Sequence, residues 1–201
     1  MSVTVILYDR GMTRWEPDAR GRLQLAAMEL YVERGFEQTT VAEIAERAGL
    51  TERTFFRHYA DKREVLFFGQ DELKERFVST VAHAPDDAAP LDAVAAALHS
   101  IAIDFEPRRP WSQTRQTVIN ANPGLQEREL IKLAGLSSAI AATLRDRGVD
   151  EPAASLTAEA GISVFHVAFQ RWVAAENTQE FALIVAESLA ALKAITTTRF
   201  D

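Results

Sequence analysis

The stretch that decides the fold runs from Thr39 to Arg63 and reads TTVAEIAERAGLTERTFFRHYADKR. Thr40 and Glu43 have the spacing of a capping box, in which the hydroxyl and the carboxylate each bond a free amide at a helix start. Gly49 is a residue type that leaves a helix readily in the left-handed conformation. The sequence therefore predicts a short helix here, with apolar side chains on one face at Val41, Ile44, Ala45 and Ala48.

A second short helix is predicted directly after that turn. Thr51 is a good N-cap residue, and Phe55 and Tyr59, four positions apart, lie on one face of the helix that follows it. Two short helices joined by a turn containing glycine form a helix-turn-helix, whose second helix enters the major groove of DNA in DNA-binding domains.

The outward face of this second helix suggests DNA binding. Between Arg47 and Arg63 there are five basic side chains and two acidic ones, a net charge of +3. Arginine bridges guanine O6 and N7 or grips phosphate through two bonds, and threonine bonds either group. The same pattern also occurs in helical domains that never contact nucleic acid, so the pattern alone leaves DNA binding open.

Several motifs between about Arg20 and Leu66 resemble the DNA-binding head of the tetracycline-repressor (TetR) family of transcriptional regulators. They are the helix AAMELYVERGFEQTTV, the segment VAEIAERAGLTERTFFRHYADKREVL, and the ending Phe56-Arg57-His58-Tyr59 followed by Lys62. The resemblance implies a homodimer with two such heads. It also implies a larger helical domain that binds a small effector and thereby releases the DNA.

The resemblance implies that Thr51 to His58 form the recognition helix. The expected base contacts are Arg53, Thr54 and Phe56, and the expected phosphate contacts are Thr40, Thr51, Arg57, His58 and Lys62. The family most often has tyrosine where this chain has Phe56. A hydroxyl bond to phosphate is therefore missing there, and we expect apolar contact with a thymine methyl group or a sugar instead.

Composition agrees with a globular protein of one large or two small domains. The chain has 201 residues, of which 47% are hydrophobic, no cysteine and a net charge of −7. Residues 1–63 carry ten basic and ten acidic side chains, and the rest carry twelve and nineteen, so the acid lies away from the predicted DNA face. We expect a soluble cytoplasmic protein, since no apolar run approaches a membrane span and the first residues do not resemble a signal peptide.

The predicted fold class is all-α, with about nine helices. We expect an N-terminal arm over 1–16, the helix-turn-helix domain over 17–63, a connecting helix over 64–84, and an effector-binding and dimerisation domain over 85–201. The first residues have two interpretations: a short arm, or an upstream extension with Met12 as the natural start. An arm could be a mobile terminus, or its Arg10 and Arg14 could reach a minor groove.

The pattern beyond the helix-turn-helix predicts one helix after Asp61 that runs to about His83. Its apolar face would hold Val65, Leu66, Leu73 and Phe77. The segment APDDAAP at 84–90 has the composition of a connector. Helices are then expected over 91–105, 111–120, 125–147, 152–175 and 178–195.

The last two helices are expected to form the homodimer contact. They are too rich in apolar residues for a monomer of this size to bury, so a two-fold four-helix contact would cover them. The alternative is an ordinary pair of core helices. Gly161 would allow close backbone approach, and the apolar positions are Leu156, Ala160, Val164, Phe165, Ala168 and Trp172, then Phe181, Ile184, Val185, Leu189 and Leu192.

An effector cavity is implied by the resemblance. The candidates combine aromatic walls with a few polar groups, as small-molecule pockets do, although each aromatic is also an ordinary core residue type. The late Arg171-Trp172 resembles a branch of the family proposed to sense acyl-CoA-like ligands. The candidate residues are Phe105, Trp111, Arg115, Val118, Phe165, His166, Phe169 and Trp172.

No enzymatic motif appears in the sequence. None of the four histidines has a glutamate three residues before it, and a serine nucleophile elbow, a phosphate-binding glycine loop and a cysteine nucleophile are absent. We predict no catalytic residues, no cofactor and no metal. The alternative function is a helical small-molecule-binding protein without DNA-binding activity.

Overall fold

The structure, a computed structural model, describes residues 19–197. The predicted arm, with Arg10, Met12 and Arg14, lies outside the described residues. Within 19–197 every regular element is helical, which confirms the all-α prediction. The helices are α1 (Ala19–Arg34), α2 (Val41–Arg47), α3 (Glu52–His58), α4 (Gln70–Ala82), α5 (Pro90–Phe105), α6 (Arg109–Asn120), α7 (Pro123–Asp146), α8 (Ala153–Val173) and α9 (Phe181–Thr197), and a 3-10 turn (Glu106–Arg108) joins α5 to α6.

The caps of α2 and α3 are those that the sequence predicts. The Thr40 hydroxyl accepts from the Glu43 amide at 3.2 Å, and the Glu43 carboxylate accepts from the Thr40 amide at 2.9 Å. Gly49 has a φ of +64° between the two helices. The Thr51 hydroxyl accepts from the amide of Thr54 at 3.2 Å and so starts α3.

The connecting helix begins later than predicted. Residues 62–69 form successive turns, and α4 begins only at Gln70. Asp61 caps this segment, because its carboxylate accepts from the amides of Arg63 at 2.7 Å and Glu64 at 3.2 Å. Gly69, at a φ of +87°, then breaks the chain direction, since that left-handed conformation cannot continue a right-handed helix.

Two hydrophobic cores divide the molecule. The first, which we call the head core, buries side chains of α1, α2 and α3 together with Val65, Leu66 and Phe67. It also takes in Val118 and Ile119 of α6 and Leu125 of α7. The second, the body core, is built from α4, α5, α7, α8 and α9. The cores therefore meet where α6 and the start of α7 lie against the segment that leads into α4.

Most apolar residues that the sequence assigned to a dimer contact are instead buried within the chain. Those fully or almost fully buried in the body core are Val164, Phe165, Ala168, Trp172, Phe181, Ile184 and Val185. Gly161 also acts inside the chain, because a Cβ atom there would lie 2.4 Å from Cγ1 of Val94 on α5. The five-helix body covers these faces, which the composition of two helices alone does not reveal.

Candidate nucleic-acid interface

Helix α3 is fixed by two aromatic side chains on its inner face. Phe55 is completely buried and Tyr59 is 4% exposed, and their ring centroids are 5.5 Å apart. The Tyr59 hydroxyl donates to the carbonyl oxygen of Arg20 at 3.3 Å. This face anchors α3 on the head core and therefore determines which side of the helix meets solvent.

The outer face of α3 presents the side chains predicted for DNA contact. Thr51, Arg53, Phe56 and Arg57 are exposed, and Thr54 and His58 are half-buried. Phe56 is 56% exposed and touches the ring of Phe55 edge-on, with centroids 5.5 Å apart. An exposed aromatic ring between two arginines is a surface suited to a groove of DNA.

The positive charge of this region is concentrated on Arg53 and Arg57. Within residues 19–197 neither forms an ion pair with a carboxylate, and Arg57 lies 3.4 Å from the ring nitrogen Nε2 of His58. Arg47, by contrast, pairs with Glu29 and Glu33 of α1, and Arg63 pairs with Asp61. The charge of +3 counted from sequence thus overstates the free charge, because Arg47 is neutralised by carboxylates of α1 that lie outside the counted segment.

The capping groups have shifted acidities that follow from their bonds. The amide and hydroxyl bonds from Thr40 hold the pKa of the Glu43 carboxyl below its usual range. Hydrogen bonds from Arg47 lower the pKa of Glu33, and the same pair raises the pKa of Arg47. These groups are exposed, so solvent screens the pairs and they add little to stability.

Lys62 is held by the head itself. Its ammonium donates to the carbonyl oxygens of Phe36 at 2.8 Å, Glu37 at 3.2 Å and Thr39 at 2.9 Å. It also lies 4.5 Å from the centroid of the Phe36 ring. An ammonium has three protons, so a phosphate contact would require Lys62 to give up at least one of these bonds.

The eight residues predicted for an effector site do not converge on one place. Phe105, Phe165, Phe169 and Trp172 lie together in the body core, where each ring is within 6.4 Å of another. His166 is exposed on α8, away from these rings. Trp111 and Val118 pack with the head core, and Arg115 lies between head and body.

Sequence reasoning did not assign Phe181 to this aromatic cluster, which also includes Phe77, 6.1 Å from the ring of Phe165. The Phe181 ring stacks on Trp172 with centroids 4.7 Å apart, and its amide donates to the Glu106 carboxylate at 2.8 Å. The Trp172 indole nitrogen is buried without a hydrogen-bond partner among the described residues. An apolar residue at a predicted helix start was the available signal for Phe181, but nothing in the sequence connects it with Trp172.

A surface groove of about 610 Å³ lies elsewhere, between the end of α4 and the start of α5. It contains none of the predicted effector residues. The lining residues of the groove are Ser79, Thr80, His83, Ala84, Pro85, Ala88, Asp92, Ala93 and Ala96.

Over the described part of the chain, no helix is long and apolar enough to cross a membrane.

Two family models match the chain. Residues 25–67 match the family of bacterial regulatory proteins called the tetR family, and residues 88–197 match the MftR C-terminal domain. The first match covers the helix-turn-helix, and the second covers more than half of the chain.

Two curated relatives match over part of the chain. The transcriptional regulator TcmR of Streptomyces glaucescens is 37% identical over 82 residues, which is 41% of this chain and 36% of that protein. The transcriptional activator FasR of Mycolicibacterium smegmatis is 32% identical over 75 residues, 37% of this chain and 34% of that protein. Each match spans about a third of the relative's length.

A solved structure extends the likeness to the whole fold. The crystal structure of Thermus thermophilus FadR, a TetR-family transcriptional repressor in complex with lauroyl-CoA, superposes with a TM-score of 0.55 at 24% identity. The superposition covers 90% of this chain and 97% of that protein. The two family models and the helical architecture agree. The chain therefore belongs to the tetR family of bacterial regulatory proteins and carries a C-terminal domain of the MftR type.

Proposed function

We propose that this protein is a sequence-specific DNA-binding transcriptional regulator, a repressor that a small-molecule effector releases from its operator. The single observation that carries this proposal is the outer face of α3. It presents Arg53, Phe56 and Arg57 to solvent on a helix whose other face is locked in the head core. Family membership supports the same function.

The exposed side chains divide by chemistry into base and phosphate contacts. Arg53, Thr54 and Phe56 read base edges, since arginine pairs with guanine and an aromatic ring packs on a thymine methyl group. Thr40, Thr51, Arg57 and His58 contact phosphates and set the register of the helix in the groove. Lys62 positions the loop between α1 and α2 through its three carbonyl bonds.

The structural boundary of the DNA-binding head lies at Gly69. Val65, Leu66 and Phe67 pack in the head core, whereas Phe77 of α4 packs in the body core. The left-handed Gly69 lies between the two groups. The head therefore extends six residues past the boundary that the sequence suggested.

The protein acts as a homodimer through the outer faces of α8 and α9. These faces remain apolar after the monomer has folded, and two helices from each protomer would make a four-helix contact. The ion pair between Arg171 and Glu187, at 2.7 Å, links the two helices at the surface. The large exposed apolar residues of the two faces are Leu156, Val167, Leu183 and Ile195, each more than half exposed.

The effector is a small hydrophobic molecule of the acyl-CoA type, and it enters the body at the aromatic cluster of Phe105, Phe165, Phe169, Trp172 and Phe181. Apolar rings suit an acyl chain, and the unpartnered Trp172 N–H could donate to a ligand carbonyl. The rings fill the site themselves, so a ligand would have to separate them. Lauroyl-CoA, the ligand of the Thermus protein, is the natural probe.

The test is a fluorescence-anisotropy titration against the DNA immediately upstream of the protein's own gene, with a scrambled duplex beside it. Both titrations are repeated over a range of salt concentrations. We expect tight binding to the native duplex alone, with an affinity that falls steeply as salt rises. Adding lauroyl-CoA to the preformed complex should lower the anisotropy.

The outcomes separate the parts of the proposal. Absence of binding to either duplex at low salt would overturn the DNA-binding function and favour the alternative of a helical small-molecule-binding protein. Specific binding that lauroyl-CoA leaves unchanged would keep the regulator and exclude this effector class. Matched measurements on Trp172→Phe, which removes the indole N–H donor together with part of the ring, would test whether Trp172 holds the ligand.

A further inference from the structure

A layer of charged side chains lies where the head meets the body. Arg115 of α6 donates through Nε to the carbonyl oxygen of Leu66 at 2.7 Å, and through Nη1 to the Glu129 carboxylate of α7 at 2.9 Å. Its guanidinium carbon is 5.2 Å from the centroid of the Phe67 ring. One side chain therefore links the head segment to both α6 and α7.

This ion pair is withdrawn from solvent. The side chains of Arg115 and Glu129 are each 14% exposed, and the remaining Glu129 oxygen accepts from the buried Gln116 amide at 3.2 Å. Burial lowers the pKa of Arg115, and the Glu129 carboxylate opposes that shift. A desolvated ion pair tolerates few geometries, because a displaced partner leaves a buried charge uncompensated.

A second set of contacts holds the same head segment. The Glu64 carboxylate accepts from Arg128 at 2.9 and 2.5 Å and from Lys132 at 3.1 Å. Lys132 also lies 6.0 Å from the centroid of the Phe67 ring, and it comes from α7, whereas Arg115 comes from α6. We call this set the head–body joint: Glu64, Leu66, Phe67, Arg115, Glu129, Arg128 and Lys132.

The hydrogen bonds of the joint depend on the orientation of head and body, whereas the apolar contacts between them depend on it only weakly. Val118, Ile119 and Leu125 bury apolar area against the head core, but that attraction does not depend strongly on direction. The two bonds of the Arg115 fork do, since a guanidinium presents its donors in one plane. The head residues of the joint lie in the successive turns of residues 62–69 and not in a helix, and the left-handed Gly69 ends these turns.

We infer that Arg115 and Glu129 are positioning residues that fix the orientation of the DNA-binding head on the body. In a dimer they would thereby fix the distance between the two recognition helices, which must match half-sites about 34–36 Å apart. This inference rests on the proposed DNA-binding dimer. It predicts that the joint governs binding to two half-sites together and leaves binding to one half-site unaffected.

The test compares Glu129→Gln and Arg115→Lys with the wild-type protein on two duplexes, one with the full operator and one with a single half-site. Glu129→Gln removes the carboxylate charge, while Arg115→Lys keeps the positive charge and removes the planar fork. We expect both variants to lose about 10-fold in affinity for the full operator. Affinity for the half-site should stay within about twofold.

Asp104→Asn is the matched control, since it also converts a carboxylate to an amide in an ion pair. Its partner is Arg76 of α4, and both side chains are largely exposed within the body. We expect no change on either duplex. An equal loss of affinity on both duplexes for the joint variants would overturn the inference, because the pair would then stabilise the head itself. No loss on either duplex would overturn it as well.

A measurement without DNA separates this inference from the proposed function. The chain contains no cysteine, so Val32→Cys, at an exposed site on α1, gives one spin label for each head. Double electron–electron resonance then reports the distance between the heads of a dimer. We expect a narrow distribution for the labelled parent and for Asp104→Asn, and a broadened or shifted one for Glu129→Gln and Arg115→Lys. Identical distributions in all four proteins would refute a positioning role, whether or not the protein binds DNA.

Discussion

The outer face of α3 is formed by residues that are close together in the sequence, whereas the aromatic cluster of the body joins residues that are far apart. The first depends on contacts within a few residues, such as the Thr51 cap and the spacing of Phe55 and Tyr59. The second brings together Phe105, Phe165 and Phe181, which come from three different helices. A motif written in neighbouring residues can be recognised before the fold is known, whereas a cluster assembled from distant helices cannot.

Substitutions at the adjacent Phe55 and Phe56 test the orientation of α3 most directly. Phe55→Ala should lower the free energy of unfolding by about 3–5 kcal/mol, because it empties a fully buried site in the head core. Phe56→Ala, at a side chain 56% exposed, should leave stability within about 0.5 kcal/mol of the parent. Urea unfolding followed by circular dichroism measures both. Similar losses for the two variants would mean that α3 is not oriented as described.

Gly161 tests the packing of the body in the same way. Gly161→Ala should cost about 1–3 kcal/mol of unfolding free energy, because the new methyl group would meet the buried Val94. Gly135→Ala on α7 is the matched control, since nothing lies within 4 Å of a Cβ atom there, and it should be neutral or stabilising. The double variant Gly161→Ala with Val94→Ala should recover part of the loss. A thermal melt in which Gly161→Ala equals the parent would refute the close crossing of α5 and α8.

Replacement of Lys62 tests whether this side chain contacts DNA phosphate or stabilises the folded head. Lys62→Ala should lower the unfolding free energy by about 1–3 kcal/mol, because it leaves three carbonyl groups without their charged donor. The slope of log affinity against log salt should stay that of the parent. A slope reduced by about one, with unchanged stability, would instead identify Lys62 as a phosphate contact.

Substitutions of Arg53 and Arg57 test which side chain contacts bases and which contacts phosphates. Arg53→Ala should cost about 1–3 kcal/mol on the cognate operator and much less on random DNA, so that specificity falls with affinity. Arg57→Ala serves as the comparison, since loss of a phosphate contact weakens binding to all sequences alike. Anisotropy titrations on both duplexes provide the four affinities. Equal losses on cognate and random DNA for Arg53→Ala would contradict its role in base reading.

The smallest expected effect concerns one methyl group. If Phe56 packs on a thymine, replacing each operator thymine in turn by uracil should cost about 1 kcal/mol at one position of the half-site. That cost should vanish in Phe56→Ala, because the contact is already lost. Additive losses from the two changes would place Phe56 away from the methyl group, against a sugar or no part of the DNA.

The sequence predicted much of the head and less of the body. The capping box of Thr40 and Glu43 and the glycine turn at Gly49 were confirmed, because each depends on bonds within four residues. The predicted start of the connecting helix was wrong. The apolar spacing at 65, 66, 73 and 77 fits one continuous helix, but Gly69 interrupts the backbone and α4 begins only after it. Apolar periodicity reports a buried face but does not say whether the backbone between two apolar residues is continuous.

The predicted effector residues are dispersed in the structure for a different reason. Arg115 is a polar residue among apolar ones, which is equally expected of a ligand contact and of a buried ion pair. Its actual partners, the Leu66 carbonyl and Glu129, lie 49 and 14 positions away. The sequence contains no local signal for such a pairing.

An all-helical chain, a helix-turn-helix with its inner and outer faces, and membership of a family of regulators can all be predicted from the sequence. Those properties follow from residue types at fixed short spacings, where the backbone geometry of a helix leaves little choice. The folded structure was needed to show which apolar faces of α8 and α9 are already covered, that Lys62 and Arg47 are bonded within the head, and that Arg115 joins head to body. These depend on which distant segments pack together, and that is fixed by burial of the whole chain and not by any stretch of it.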